Sequence, residues 1–519
     1  MGDGNSEQDN ITENGKELDE KAEVNSEKQG SHCKLLAASH SEKSLNSHNQ
    51  SNEEPPCKQF KSSVNINGDY TNEKFITKFK EHWNNSKPFL FNNSELIVKP
   101  FKVTILPNFI EDNFLLTKIR EEFNEIEWHK RNMDLYEFLQ SSDLKHLGSS
   151  KYISIFYKFL EEIAMKWISD ITGLELVKVS ATCSLYGDTD YLLVHDDQQE
   201  DRMVAFILYL TEPDWKESYG GNLQLLNKNE FNEPLDVVRD IFPSNNQFVF
   251  FQVTNDSYHQ VSEVTSKNNC RLSINGWFHS KLPPIFQAPL YNPPTNGIFS
   301  QHFISPQEAD IDLSDWISEE YLDDKTAEDI QAHIEENSEI SLCSYFKQVV
   351  IQTILEELKI DDYLLGIHWT QVGPPNRFLY SKLEEKNLPH TLERLLLLFK
   401  SEQMFDLLKK YTDLDLKCLK YEMQKWTPGN YMLLSDYDWA ERNELDLILY
   451  LGCTDPNSVI GGRTMYVSVE DEVQQAFITV EPQENNLNII FRDTARFTKY
   501  FSKQSTCKCF YMLICSYSE

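Results

Sequence analysis

Apolar residues change their density and spacing along this chain, and the changes mark out its parts. Residues 1–72 carry few apolar positions among Ser, Asn, Glu and Lys, which predicts a disordered tail. From residue 73 the density rises. VTILPNFI reads as a strand running into a loop. EDNFLLTKIREEFNEI has helical spacing with acidic residues near its start, and KYISIFYKFLEEIAMKWISDITG predicts a second amphipathic helix ending near Gly173. From about 175 to 280 the apolar runs shorten to strand length. Helices followed by many short antiparallel strands predict a mainly β fold with flanking helices, a double-stranded β-helix of the jelly-roll or cupin type, over 73–282. Pro-rich LPPIFQAPLYNPPTNGIFS and the acidic, mostly helical DLSDWISEEYLDDKTAEDIQAHIEENSEI predict a linker over 283–339. A second folded region, 340–519, opens near YFKQVVIQTILEELK.

The second region echoes the first. YMLLSDYDWAERNELDLILYL (431–451) follows YLLVHDDQQEDRMVAFILYL (191–210) with one inserted residue. Gly461 and Gly462 then match Gly220 and Gly221, NNLNIIFRDT matches NNQFVFFQVT, and SKQSTCK matches SKNNCR. Two β-helix domains in tandem are therefore expected. In this alignment Ser435 and Tyr437 replace His195 and Asp197, Lys499 falls near His259, and Lys508 takes the place of Arg271. The second domain is thus expected to be degenerate and non-catalytic.

Charge and cysteines narrow the setting. The net charge of −33 disfavours direct nucleic-acid binding, because phosphate contacts need a basic surface, and suits a basic protein partner. The ten cysteines follow no disulfide or zinc spacing. The polar start MGDGNSEQDN is not a secretory signal, and no apolar run approaches membrane-spanning length. An intracellular chain with reduced thiols is the expectation, with no membrane partner.

The candidate chemistry lies in the first domain. His195-x-Asp197 on an apolar strand, followed by a late His259, has the order of a two-His-one-carboxylate triad, which holds Fe(II) on one face and leaves positions open. Residues i and i+2 of a strand share a side, so His195 and Asp197 are expected to face one metal while Asp196 points away. A 2-oxo acid can take two open positions and O2 the last. Arg271, twelve residues after His259, is suited to a bidentate pair with the distal carboxylate of 2-oxoglutarate, and Tyr209 is a candidate to add a phenol hydrogen bond. The alternation in CRLSINGWF sends Arg271, Ser273 and Asn275 to one face. The turn SKNN predicts a hairpin of VSEVT and CRLSI, with Arg271 beside His259. An isolated His-x-Asp arises often by chance; the four residues together, His195, Asp197, His259 and Arg271, make a far more specific catalytic set.

PNFI, DLYEFLQSSDL, LLVHDD, RMVAFILYL, GGNLQL, HQVSEV, RLSINGWFH and DLSDWISEEYL make residues 75–519 resemble the eukaryotic ribosomal prolyl 3-hydroxylases. The resemblance implies an active domain followed by a related inactive one. It implies iron on His195, Asp197 and His259, and 2-oxoglutarate on Tyr209 and Arg271, with Tyr186 in the same pocket and Ser273 a weaker candidate. The implied cofactors are Fe(II), 2-oxoglutarate, O2 and L-ascorbate. The implied substrate is a proline in a small-subunit ribosomal protein at the decoding centre, hydroxylated at the 3-position. Links to translation termination, messenger-ribonucleoprotein factors and stress responses follow, in the cytoplasm or nucleus. The residues alone reach only a 2-oxoglutarate oxygenase. A lysyl hydroxylase, a protein demethylase and a binding adaptor remain open at that level. DLYEFLQSSDL is the candidate substrate-facing loop.

Overall fold

The computed structural model describes residues 64–199, 201–284, 302–359, 367–434, 443–470 and 473–519. Among these, the strands form two large antiparallel sheets. The first contains β1 (Phe89–Phe91), β2 (Ser94–Ile97), β3 (Val103–Leu106), β4 (Trp128–Asn132), β5 (Tyr136–Ser141), β6 (Lys178–Tyr186) and β7 (Tyr191–His195). It continues through β8 (Arg202–Tyr209), β9 (Leu223–Lys228), β10 (Pro234–Ile241), β11 (Phe248–Gln252), β12 (His259–Val261) and β13 (Arg271–His279). Their order is β1-β2-β3-β11-β8-β13-β6-β5-β7-β12-β9-β10, with β4 paired only to β5. The run β3-β11-β8-β13-β6 makes one wall and β7-β12-β9-β10 the other, joined at β5.

The strand period of two explains how the first wall serves two environments. Val204, Phe206 and Leu208 of β8, Phe248 and Phe250 of β11, and Leu272, Ile274 and Phe278 of β13 pack against the helices. Their alternates, Ala205, Tyr209, Val249 and Phe251, turn inward. The covering helices are amphipathic. Helix Glu73–Asn84 buries Phe75, Phe79 and Trp83, and Asn72 caps its start by accepting from Phe75 N. The predicted helix over 151–173 is present with a π turn at Leu160–Ala164, and it ends at Gly173 in the left-handed conformation (φ 77°). Glu122 accepts from the backbone N–H groups of Tyr152 and Ile153 at its start.

The second sheet holds β14 (Glu339–Leu342), β15 (His368–Val372), β16 (Phe378–Glu384), β17 (Cys418–Trp426), β18 (Tyr431–Met432) and β19 (Glu444–Leu451). It is completed by β20 (Thr464–Glu470), β21 (Val473–Val480), β22 (Leu487–Arg492), β23 (Ala495–Thr498) and β24 (Phe510–Ser518). Their order is β14-β22-β19-β24-β17-β16-β18-β23-β20-β21, with β15 paired to β16.

Several sequence expectations need correction. Residues 1–63 of the expected tail lie outside the described residues, but 64–72 are folded: Val64, Ile66 and Tyr70 are buried. The Pro-rich segment 285–301 also lies outside them. The acidic part of the expected linker is no spacer. Helix Asp324–Asn337 carries Ala327, Ile330 and Ile334 on one stripe and packs them into the second core. The hairpin of VSEVT and CRLSI does not form. β12 pairs with β7 and β9, while β13 pairs with β6 and β8, so the connection crosses between the walls. If the two sheets are compared strand for strand, Lys499 and Lys508 do not take the expected positions. Phe510 opens β24 opposite Trp426, as Arg271 opens β13 opposite Tyr186. Arg496 pairs with Tyr466 across β23 and β20, as His259 pairs with Leu225 across β12 and β9. Ser435 and Tyr437 lie outside the described residues.

Arg496 forms a fully buried ion pair with Asp446, whose carboxylate also accepts from Tyr466 (2.9 Å) and Ser516 (2.6 Å). Burial pushes the Asp446 carboxyl upward, but Arg496, Arg492 and the hydroxyl of Ser516 hold it below the ordinary range. Removing one member leaves an uncompensated buried charge. Arg496→Ala is therefore expected to cost about 3–5 kcal/mol, read as a fall in the urea midpoint, with Arg496→Met plus Asp446→Leu recovering most of it. A wild-type midpoint for the single variant would show that the pair contributes nothing.

Candidate active site

Each of the expected ligands is positioned by a different local device. His195 is the last residue of β7, and in the antiparallel pair its Cα partner is His259 of β12. Asp197 lies beyond the strand in the left-handed region (φ 64°). Simple strand alternation therefore does not bring it to the site. The turn does, and Asp and Asn tolerate that conformation better than most residues. The outcome is the expected cluster: ligand atoms of His195, Asp197 and His259 lie within 4.8 Å of one another. His195 Nε2 is 3.6 Å from Asp197 Oδ1, and His259 Nε2 is 3.4 Å from Asp197 Oδ2. Asp196 stays outside and bonds Gln198.

The imidazoles are oriented from behind. His195 Nδ1 bonds the carbonyl of Leu193 (2.8 Å), and His259 Nδ1 bonds that of Ser257 (2.8 Å). A carbonyl only accepts, so each Nδ1 carries the hydrogen and each Nε2 keeps a lone pair toward Asp197. Ser257 also ties the two ligand segments together, because its hydroxyl donates to the Asp196 carbonyl (2.9 Å). Burial, with the nearby His195, brings the His259 ring down to about 4, against the pull of Asp197. The ring is thus neutral and able to ligate at physiological pH. Two imidazoles and one carboxylate in this order suit Fe(II).

Arg271 faces the triad from the opposite wall. Arg271, Ser273 and Asn275 line the same cavity of about 530 Å³ as His195, Asp197 and His259, as the alternation of CRLSINGWF predicts. The Arg271 side chain is 2% exposed and donates from Nη1 to Ser273 Oγ (3.2 Å). Its guanidinium lies 4.9 Å from the ring centre of Tyr186 and 5.0 Å from that of Tyr209. Arg271 Nε is buried without a hydrogen-bond partner, and the buried Tyr209 hydroxyl has none beyond the guanidinium beside it. Leaving such groups unpaired costs free energy, so the pair is suited to an anion that accepts from both. Burial pushes the Tyr209 phenol upward, against the pull of Arg271, so it stays a donor. A dicarboxylate such as 2-oxoglutarate fits this donor set.

Other contributors carry no sequence signal of their own. Gly221 (φ 73°) gives Arg271 its room, because a Cβ there would sit 2.9 Å from Arg271 Cδ. The carbonyls of Leu193 and Ser257 are backbone groups and could not be read from residue type. DLYEFLQSSDL forms β5 and its approach, and Tyr136, Phe138 and Gln140 line the cavity together with Arg131 and Met133 of the same hairpin. Phe138 stacks on Tyr186 at 4.7 Å.

Residues 181–279 match the model of the 2OG-Fe(II) oxygenase superfamily, and residues 308–519 match that of the oxoglutarate and iron-dependent oxygenase degradation C-terminal domain. The chain is 35% identical over 460 residues to the Drosophila melanogaster prolyl 3-hydroxylase sudestada1, covering 82% of this chain and 84% of that one. It is 31% identical over 529 residues to the Mus musculus prolyl 3-hydroxylase OGFOD1, covering 87% and 94%. It is 24% identical over 498 residues to an Ostreococcus tauri prolyl 3,4-dihydroxylase OGFOD1, covering 82% and 96%.

Two expectations follow from the geometry. His259→Ala should abolish Mn(II) binding in an electron paramagnetic resonance titration, while Asp196→Asn should leave it intact; loss in both would mean that the wrong carboxylate has been assigned. Gly221→Ala should displace Arg271 and raise the KM for 2-oxoglutarate roughly tenfold, the equivalent of about 1.4 kcal/mol, with Mn(II) affinity unchanged. An unchanged KM would detach Arg271 from co-substrate binding.

Proposed function

Since this chain belongs to the prolyl 3-hydroxylases, which are 2-oxoglutarate- and Fe(II)-dependent oxygenases, we propose that it hydroxylates the 3-position of a proline in a small-subunit ribosomal protein. The enzyme class follows from the family; the ribosomal substrate is our reading. On that reading His195, Asp197 and His259 hold the metal, and Arg271 with Tyr209 holds the distal carboxylate of 2-oxoglutarate. Tyr186, stacked under Phe138, closes that end of the pocket. The observation that carries the assignment is the buried Arg271, its Nε unpaired and its guanidinium beside Tyr209, in one cavity with the triad on the opposite wall.

Bound Fe(II) and 2-oxoglutarate supply the oxidation: O2 and the oxo acid give succinate, CO2 and one oxygen atom inserted into a substrate C–H bond. The protein's own work is positional. The Leu193 and Ser257 carbonyls fix the imidazole tautomers, Arg271 neutralises the co-substrate's far charge, and Phe251, stacked edge-on to His259 at 4.8 Å, helps keep the site dry.

Proline is favoured over lysine by the lining of the cavity. Met133, Tyr136, Phe138 and Trp277 offer apolar and ring surfaces, and among the described residues Asp197 is the only carboxylate there. A lysine ammonium would find no free counter-charge, whereas a pyrrolidine ring needs none. The net charge of −33 suits attraction of a basic ribosomal protein over longer range. This substrate would tie the enzyme to translation termination and accuracy, in the cytoplasm or nucleus.

We further read the chain as two β-helix units in tandem, a catalytic one ending near 282 and a second, degenerate one from about 302. Three correspondences support the reading. Strand orders β3-β11-β8-β13-β6-β5-β7-β12-β9-β10 and β14-β22-β19-β24-β17-β16-β18-β23-β20-β21 match position for position. Asn246 brackets Ile110 through N–H and C=O, as Asn485 brackets Phe346. Glu122 caps helix Lys151–Phe159, as Glu357 caps helix His390–Lys400. In the second unit Arg496 and Phe510 stand where His259 and Arg271 stand in the first.

The assay combines Fe(II), 2-oxoglutarate, ascorbate and the proline-bearing loop of the ribosomal protein, read by mass spectrometry and succinate release. The intact enzyme is expected to add one oxygen to proline, and His195→Ala none. Two added oxygens would instead align it with the activity named for the Ostreococcus relative. Succinate without a modified peptide would move the substrate elsewhere, and neither product from folded, metal-loaded protein would favour a binding adaptor.

A further inference from the structure

The hairpin β4–β5 lines the mouth of the cavity yet has little support from its own sheet. β4 pairs only with β5, and four of its five residues are exposed. β5 meets β6 through Leu139 and Gln140 and β7 through Tyr136 and Glu137, two register positions each. Nevertheless Arg131, Met133, Tyr136, Phe138 and Gln140 form one side of the cavity.

The missing support comes from the second unit. Lys499, whose side chain is 3% exposed, donates from Nζ to Asn132 Oδ1 (2.6 Å) and to the Met133 carbonyl (2.5 Å), and lies 3.6 Å from Glu137 Oε2. These three acceptors all belong to the hairpin, and an ammonium has three hydrogens to give. Beside it the backbone N–H of Leu434 donates to Asp134 Oδ2 at the hairpin tip (3.0 Å). An apolar cluster of Tyr191, Leu193, Tyr431, Leu433 and Tyr500, with Leu135 against it, seals the contact. Lys499 does not line the cavity and touches none of the triad.

We propose that Lys499 is a positioning residue: through it the second unit sets the β4–β5 hairpin, and the hairpin sets the fit of the peptide substrate. The second unit thus takes part in specificity without carrying any catalytic group. The charge is what makes the grip selective. A buried ammonium must keep its acceptors, so the hairpin tip is held in the one arrangement that supplies all of them. This inference rests on the reading that the cavity accepts a peptide; the arrangement of the hairpin itself does not.

The test compares the full-length wild type with Lys499→Met, Lys499→Arg and, from the hairpin side, Asn132→Ala. In Lys499→Met the KM for the proline peptide should rise about tenfold or more, while peptide-independent succinate formation and the KM for 2-oxoglutarate stay within about twofold. Asn132→Ala should shift the peptide KM in the same direction, and Lys499→Arg should restore part of the loss. Hydrogen exchange should quicken in residues 128–141 and not in β7, β12 or β13. That readout needs no substrate, so it still decides the matter if no peptide is turned over. Unchanged exchange in the hairpin would overturn the proposal. So would an equal loss of peptide-dependent and peptide-independent turnover, which is the signature of general destabilisation.

Discussion

Everything in the catalytic unit depends on one constraint: the wall β3-β11-β8-β13-β6 is buried on both faces, and a strand's side chains alternate between them. One set of alternates must satisfy the helices and is almost wholly apolar, Thr104 and Gln252 being the polar members. The other faces a cavity and is free to be polar, provided that its polar groups find partners. Arg271, Tyr209 and Asn275 occupy that second set. Their neighbours one residue away, Leu272, Leu208 and Ile274, lie in the helix-side core. A shift of register by one residue would bury a guanidinium among phenylalanines and turn leucines to the metal. The cost of that error is what locks the chemistry to the fold.

This constraint also explains what the sequence could disclose. Type and spacing exposed the residues whose identity is chemical: two histidines, a carboxylate and an arginine. The alternation of CRLSINGWF correctly put Arg271, Ser273 and Asn275 on one face. Where the expectation depended on which strands pair, it failed. His259 and Arg271 are close in sequence and face each other across a cavity, because the chain crosses from one wall to the other between them. Asp197 reached the site through a left-handed turn, and side-chain period says nothing about such a turn. The expected placement of Lys499 and Lys508 failed for a related reason. On the tandem reading, loop lengths differ between the two halves, and strand pairing puts Arg496 and Phe510 at those positions. The matched runs NNQFVFFQVT and NNLNIIFRDT likewise slip by one, since Asn246 and Asn485 are the residues that bracket their partner loops.

On the tandem reading, the two units offer two solutions to the same interior. An inward-facing arginine in a dry space needs a counter-charge. In the first unit Arg271 has only Ser273 and two aromatic rings, and its Nε is left for a ligand to satisfy. In the second, Arg496 is paired within the protein to Asp446. There Phe510 packs near Trp426, Tyr450 and Phe501, with ring centroids 5.0 to 5.9 Å apart, in the space that a co-substrate would need. The first arginine has no carboxylate partner within the protein, and the second has one. A buried guanidinium left without a counter-charge, more than the fold, separates a site from a core.

A substrate-facing surface has requirements that such a barrel meets poorly. The barrel's strands are held on both sides and cannot be reshaped without disturbing the triad. A peptide has to be recognised by something added at the rim, and a two-stranded ribbon added there is marginal by itself. Extra support must therefore come from outside the barrel, and a second unit of fixed shape is one source. Its grip on the ribbon uses a buried ammonium whose acceptors lie on the ribbon, a contact that tolerates little displacement. Glu263, next to the Gly220–Gly221 turn that makes room for Arg271, is held from the same side by Ser502 and by the backbone N–H of Lys503 (2.8 Å). The second unit thereby touches both the ribbon at the cavity mouth and the turn behind Arg271. On the tandem reading, that gives a physical reason for the two units to stay together.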